Sequence, residues 1–60
     1  MLNLKPNFDD TDAFYAALLD AHEGLSDAES EALNARLILI LANHIGNAGV
    51  LTAALETAKS

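Results

Sequence analysis

The feature that most constrains this chain is a run of six consecutive apolar side chains, Leu37 to Ala42, in a stretch that favours helix. At about 100° per residue, positions three, four and seven apart share one face of a helix. Glu29, Arg36 and Asn43 therefore form one narrow polar stripe, and nearly all of the remaining positions from Leu33 onward are apolar. A helix that is apolar around most of its circumference has to be buried. The question is which surface covers it.

A chain of 60 residues can bury only a small core of its own. A domain of this size hides about 60% of its unfolded surface, and it commonly needs disulfides, a metal or association to be stable. The sequence has no cysteine, which excludes disulfides and the usual Cys/His zinc spacing. We therefore expect one domain, residues 1–60, that is completed by oligomerisation, and a two-fold homodimer is the commonest closed solution.

The composition predicts an all-α fold, because Ala and Leu dominate and both lose little side-chain entropy in a helix. We predict a short helical bundle with the second helix at its centre. An extended N-terminal arm precedes the helices at residues 1–8. The three helices are expected at about residues 10–23, 27–45 and 49–58.

Capping signals set these predicted boundaries. The acidic cluster Asp9 to Asp12 suits a helix N-terminus, and Gly24 is a typical left-handed stop. Ser26 to Glu29 reads as a capping box, in which the first and last side chains bond each other's backbone N–H. Gly46 should end the second helix and Asn47 should cap the third.

We predict that the second helix associates with another chain through one broad face. The candidate interface residues are Leu33, Asn34, Leu37, Ile38, Ile40, Leu41, His44 and Ile45. Asn34 either pairs with its symmetry mate, which would fix the register of a dimer, or sits early enough in the helix to reach water. His44 suits the negative end of the helix dipole, and no second ligand stands three or four positions away to support a metal role.

Tyr15 and His22 are seven positions apart on the first helix, so they lie roughly in line. One interpretation is an amphipathic border whose polar tips stay wet. The other is a secondary recognition edge for a partner. The sequence leaves both open.

The charge is acidic and uneven. The formal net charge is −6; residues 1–31 hold eight acids and one lysine, whereas residues 32–60 hold two cations and one acid. Nucleic acids and anionic membranes attract clustered Lys and Arg, so we expect neither as a partner. The N-terminus lacks the apolar run of a signal peptide, and the longest apolar run is far below the roughly 18 residues of a membrane span. We expect a cytoplasmic protein.

No catalytic pattern can be identified in the sequence. There is no nucleophile–base set, no glycine-rich phosphate loop and no paired carboxylates in an apolar setting, so we expect no enzyme activity and no cofactor. The function predicted is a small interaction protein. The alternative is a carrier of a small ligand or metal, with a site between protomers lined by Tyr15, His22 and His44.

Three segments carry a family resemblance: DAFYAALLDAH (12–22), GLSDAES (24–30) and LNARLILILANHIGN (33–47). With Leu4–Phe8 before them, they resemble a family of short bacterial proteins defined only as domain of unknown function 2783. The likeness covers nearly the whole chain, and its last segment is the most specific. The resemblance implies no activity and no functional residues. It does imply an accessory role beside a flavin-dependent aromatic hydroxylase, because similar proteins are encoded close to such enzymes.

Overall fold

The computed structural model describes residues 2–60, and in that range it contains three α-helices and no strand. Helix α1 spans Thr11–Ala21, α2 spans Asp27–Ile45 and α3 spans Ala48–Ala58. The predicted all-α fold is confirmed, with boundaries within two residues of those expected. Met1, the first residue of the predicted arm, lies outside the described residues.

Helix α1 is shorter than predicted at both ends, and each difference has a local cause. Asp10 is the N-cap, with an extended backbone, and its carboxylate accepts a hydrogen bond from the Ala13 N–H at 2.9 Å. A cap lies outside the helix that it satisfies, so α1 begins one residue later. At the other end the chain turns over residues 22–24, and Gly24 takes the left-handed conformation with φ of +77°. Gly24 therefore has the left-handed conformation that was predicted, but it closes a short turn after α1 and does not directly follow the last helical residue.

Helix α2 begins with the predicted capping box. The Glu29 N–H donates to Ser26 Oγ at 3.2 Å, and the Ser26 N–H donates to Glu29 Oε1 at 2.9 Å. Two backbone N–H groups that have no partner within a helix are satisfied in this way. The hydrogen bonds from the Ser26 backbone and then its side chain lower the pKa of Glu29 below its ordinary value of 4.5.

Removing the cap should weaken the whole fold. We expect Ser26→Ala to reduce the free energy of unfolding by about 1 kcal/mol at neutral pH, measured by urea titration. A lowered carboxyl pKa stabilises the folded state above the unfolded pKa, and that stability is lost as the pH falls through the folded pKa. Ser26→Ala keeps the backbone N–H that bonds the Glu29 carboxylate, so the pH effect is measured with Glu29→Ala, whose gap in stability from wild type should narrow below pH 4.5. A gap that stays constant with pH would contradict the role given to the Glu29 carboxylate.

The connection between α2 and α3 is very short. Gly46 ends α2 in the left-handed conformation, with φ of +73°, and its N–H donates to the Ala42 carbonyl at 2.8 Å. Asn47 then caps α3, its Oδ1 accepting from the Val50 N–H at 3.0 Å. These two residues turn the chain so that α3 packs against α2. In residues 2–60, no Cα atom of α1 comes within 8 Å of a Cα atom in α2 or α3.

The packing leaves the chain open. No side chain in residues 2–60 is fully buried. The half-buried residues mark where the elements meet: Leu2, Leu18, His22, Ser30, Leu33, Leu37, Ala42, Val50, Leu51, Ala53 and Ala54. The chain exposes 5316 Å², whereas a compact monomer of its mass, 6.3 kDa, exposes about 3,700 Å². The single chain therefore lacks the core that a stable small domain usually has.

Candidate interaction surface

A long apolar groove separates α1 from α2. Its volume is about 440 Å³, and it is open to solvent along one side. Four residues of each helix line it: Phe14, Ala17, Leu18 and Ala21 from α1, and Leu33, Arg36, Leu37 and Ile40 from α2. Arg36 is the only charged residue in this lining. The two helices thus face each other with apolar side chains, although their backbones stay well apart.

A second face of α2 is covered by neither helix. Asn34, Ile38, Leu41 and Ile45 are all exposed, and the three apolar side chains among them keep 63%, 47% and 51% of their surface accessible. Their spacing of four, three and four residues places them within an arc of about 60° on the helix. This set is called the α2 seam below. It lies about 120° around α2 from the four side chains that line the groove.

The structure divides the predicted interface into two parts. Leu33, Leu37 and Ile40 line the groove, so they face α1 of the same chain. The four seam residues remain free for another molecule. His44 is exposed close to the end of α2, on the same side of the helix as the groove residues and one turn after Ile40. Whether the predicted residues form an interface stays a prediction. Helix α1 faces Leu33, Leu37 and Ile40, and it does not face the seam residues.

Tyr15 and His22 have different surroundings. His22 is half-buried, and its Nδ1 lies 3.0 Å from Ser30 Oγ, so the two side chains share a hydrogen bond between the end of α1 and α2. Tyr15 keeps 60% of its surface exposed. His22 therefore helps to fix the position of α1. Sequence reasoning missed Ser30, whose only signal is that it lies eight positions after His22 across the turn at Gly24.

The N-terminal segment contacts two of the helices. Leu2 lies over the start of α3, where a hollow of about 230 Å³ is lined by Asn47, Gly49, Val50, Ala53 and Leu2 itself. The Phe8 and Phe14 rings stack in a tilted arrangement with centroids 5.8 Å apart. The segment preceding α1 thus lies against the bundle at these points, while Leu4 is largely exposed.

Apart from the helix caps at Asp10 and Glu29, the charged side chains make few interactions within the chain. Among residues 2–60, one ion pair is found: Lys59 Nζ lies 3.5 Å from Glu56 Oε1, and both side chains are exposed. A surface pair of this kind adds little stability. In the described part of the chain, no three His, Cys, Asp or Glu residues are grouped closely enough to hold a metal ion. Over the same residues, no helix is both long and apolar enough to cross a membrane.

Comparison with known proteins agrees with the resemblance seen in the sequence. The family model described as protein of unknown function (DUF2783) matches residues 2–60. No curated protein and no solved structure matches the chain. The match extends over all three helices and over the segment before them. The chain therefore belongs to the DUF2783 family of proteins of unknown function.

Proposed function

We propose that this chain is a non-enzymatic helical interaction protein that works as a self-associated oligomer, with α2 at the interface and a dimer as the favoured form. The supporting observation is the exposure of α2. On the α2 seam, Ile38 and Ile45 keep 63% and 51% of their surface accessible, and Leu41 keeps 47%. Soluble monomers rarely leave so continuous an apolar surface in water.

The exposed area supports the same proposal. The chain presents about 1,600 Å² more than a compact monomer of its mass, and the exposed segment 3–10 contributes to this excess. A standard protein interface hides about 800 Å² on each partner, and obligate homodimers hide more. Covering the free face of α2 would therefore bring the exposed area per chain towards that of an ordinary folded domain.

A carrier of a small apolar ligand is the second candidate, because the groove between α1 and α2 has a suitable volume and lining. Ligand sites usually measure about 300–1,000 Å³ and enclose most of the ligand. This groove is apolar but open along one side, which favours a protein side chain over a small molecule as its occupant. A metal cargo has less support, since His22 is already bonded to Ser30.

A larger enzyme is a further possible partner within the proposed function. The family resemblance points to flavin-dependent aromatic hydroxylases as the class to test. The same free face of α2 would serve such a contact. Self-association has the stronger physical support, because the excess exposed area belongs to the isolated chain itself.

Sedimentation equilibrium and light scattering of the purified protein test the proposal. We expect a mass of two chains, about twice 6.3 kDa, and little binding of a hydrophobic dye once the dimer has formed. A monodisperse species of one chain mass across the concentration range would refute self-association. Native mass spectrometry of the same sample would reveal a retained small molecule and so favour the carrier.

A further inference from the structure

The α2 seam continues beyond its apolar part. Counting back from Asn34 with the same alternating spacing of three and four residues leads to Glu31 and then Asp27, and both are exposed. Such spacing is that of a coiled-coil seam, which lets two helices pack along their length. The seam and this acidic extension therefore form one continuous strip along α2. Its first half is acidic, and its second half, the seam itself, is mainly apolar.

Neither of the neighbouring helices occupies this strip. Helix α1 lies on the groove side, where it is held by apolar contacts and by the bond between His22 and Ser30. Helix α3 folds back at Gly46. Near this end of α2, Ala42 is half-buried, and it lies on the flank of the seam that is opposite the groove. Ile38 lies between these two sides and stays 63% exposed.

The charge distribution along the strip decides the orientation of a second copy. In a parallel pair each residue faces the same residue of the other chain, so Asp27 would face Asp27 and Glu31 would face Glu31. The strip contains no cation to offset the repulsion between these carboxylates. In an antiparallel pair centred between Ile38 and Leu41, the two apolar halves overlap. Each acidic half then extends past the end of the partner's α2.

We propose that two copies of this chain pair antiparallel along the α2 seam, with Asn34 of each chain level with Ile45 of the other. This inference rests on the proposed function, and it specifies the face and the direction of the interface. Its central contacts are made by Ile38 and Leu41. The acidic N-terminal halves lie at opposite ends of the dimer, which reduces repulsion between two chains that each carry a net charge of −6.

Cysteine pairing tests the direction, because the chain has no cysteine of its own. The test mixes an Asn34→Cys chain with an Ile45→Cys chain, oxidises the mixture and separates the products by mass. The antiparallel pair brings the two different thiols together. It holds the two Asn34 positions roughly 19 Å apart, too far for a disulfide. We expect the mixed disulfide alone.

The other products of oxidation have clear meanings. A disulfide between two Asn34→Cys chains would show a parallel pair and overturn the proposal. A dimer that forms no disulfide in the mixture would place the interface on another face; this overturns the inference while self-association stands. A chain that stays monomeric at all concentrations would remove both this inference and the proposed function.

A matched pair of charge substitutions tests the face. Ile38→Asp places a carboxylate in the seam. Leu39→Asp places one at the next position, where the leucine is 70% exposed and points about 130° away from the centre of the seam. We expect Ile38→Asp to weaken dimerisation at least a hundredfold and Leu39→Asp to leave it nearly unchanged. Circular dichroism of both variants checks that α2 is still helical. Equal weakening by the two substitutions would overturn the assignment of the seam.

Discussion

Dilution is expected to lower the melting temperature of this protein. If the dimer supplies the surface that covers α2, unfolding is coupled to dissociation, and the dimer becomes less stable as the protein concentration falls. Each tenfold dilution then removes about 1.4 kcal/mol from the free energy of unfolding per dimer, which corresponds to about 5 °C for two chains of this length. Circular dichroism melts over a hundredfold range of concentration should therefore differ by about 10 °C.

The control for this experiment is the Ile38→Asp chain, in which the seam carries a charge. Its melting temperature should be lower than that of wild type and should not change with dilution, because no dimer remains to dissociate. A wild-type melting temperature that is constant over the whole range would show that a single chain is stable without a partner. That result would contradict the interpretation of the exposed area, whatever the direction of pairing.

The helix boundaries could be predicted because each depends on a few neighbouring residues. Ser26 and Glu29 form their capping box through bonds that span three positions, and no other part of the chain takes part in them. Gly46 ends α2 for an equally local reason, since its positive φ is unfavourable for a residue with a side chain. Such signals lie within one turn of helix and can be identified from the sequence.

The division of the α2 surface could not be predicted in the same way. The helical periodicity places Leu37 and Leu41 on one broad apolar face. It does not say how far around that face α1 will reach. That depends on the path of the chain through residues 22–26 and on the bond between His22 and Ser30, which the sequence pattern did not indicate. The seam became distinguishable from the groove only once the position of α1 was known.

Helix α1 should depend on the groove for its position, and Leu37→Ala tests this. Leu37 is half-buried in the α2 wall of the groove, where it faces the apolar side chains of α1. Truncating a fully buried leucine to alanine costs about 2–5 kcal/mol, and half burial places the expected loss near 2 kcal/mol. Urea titration followed by circular dichroism measures this loss.

Leu39→Ala is the matched control for Leu37→Ala. The two substitutions remove the same atoms from the same helix, but Leu39 is 70% exposed and does not line the groove. Its truncation should change the free energy of unfolding by less than about 0.5 kcal/mol. The fluorescence of Tyr15 provides a second measurement. The chain has one tyrosine and no tryptophan, and Tyr15 lies on α1, so its fluorescence reports on that helix. Its fluorescence should change at lower urea in Leu37→Ala than in Leu39→Ala. If the two variants lose equal stability and their Tyr15 transitions coincide, the groove does not hold α1 in place, and Leu37 belongs to the same free surface as the seam.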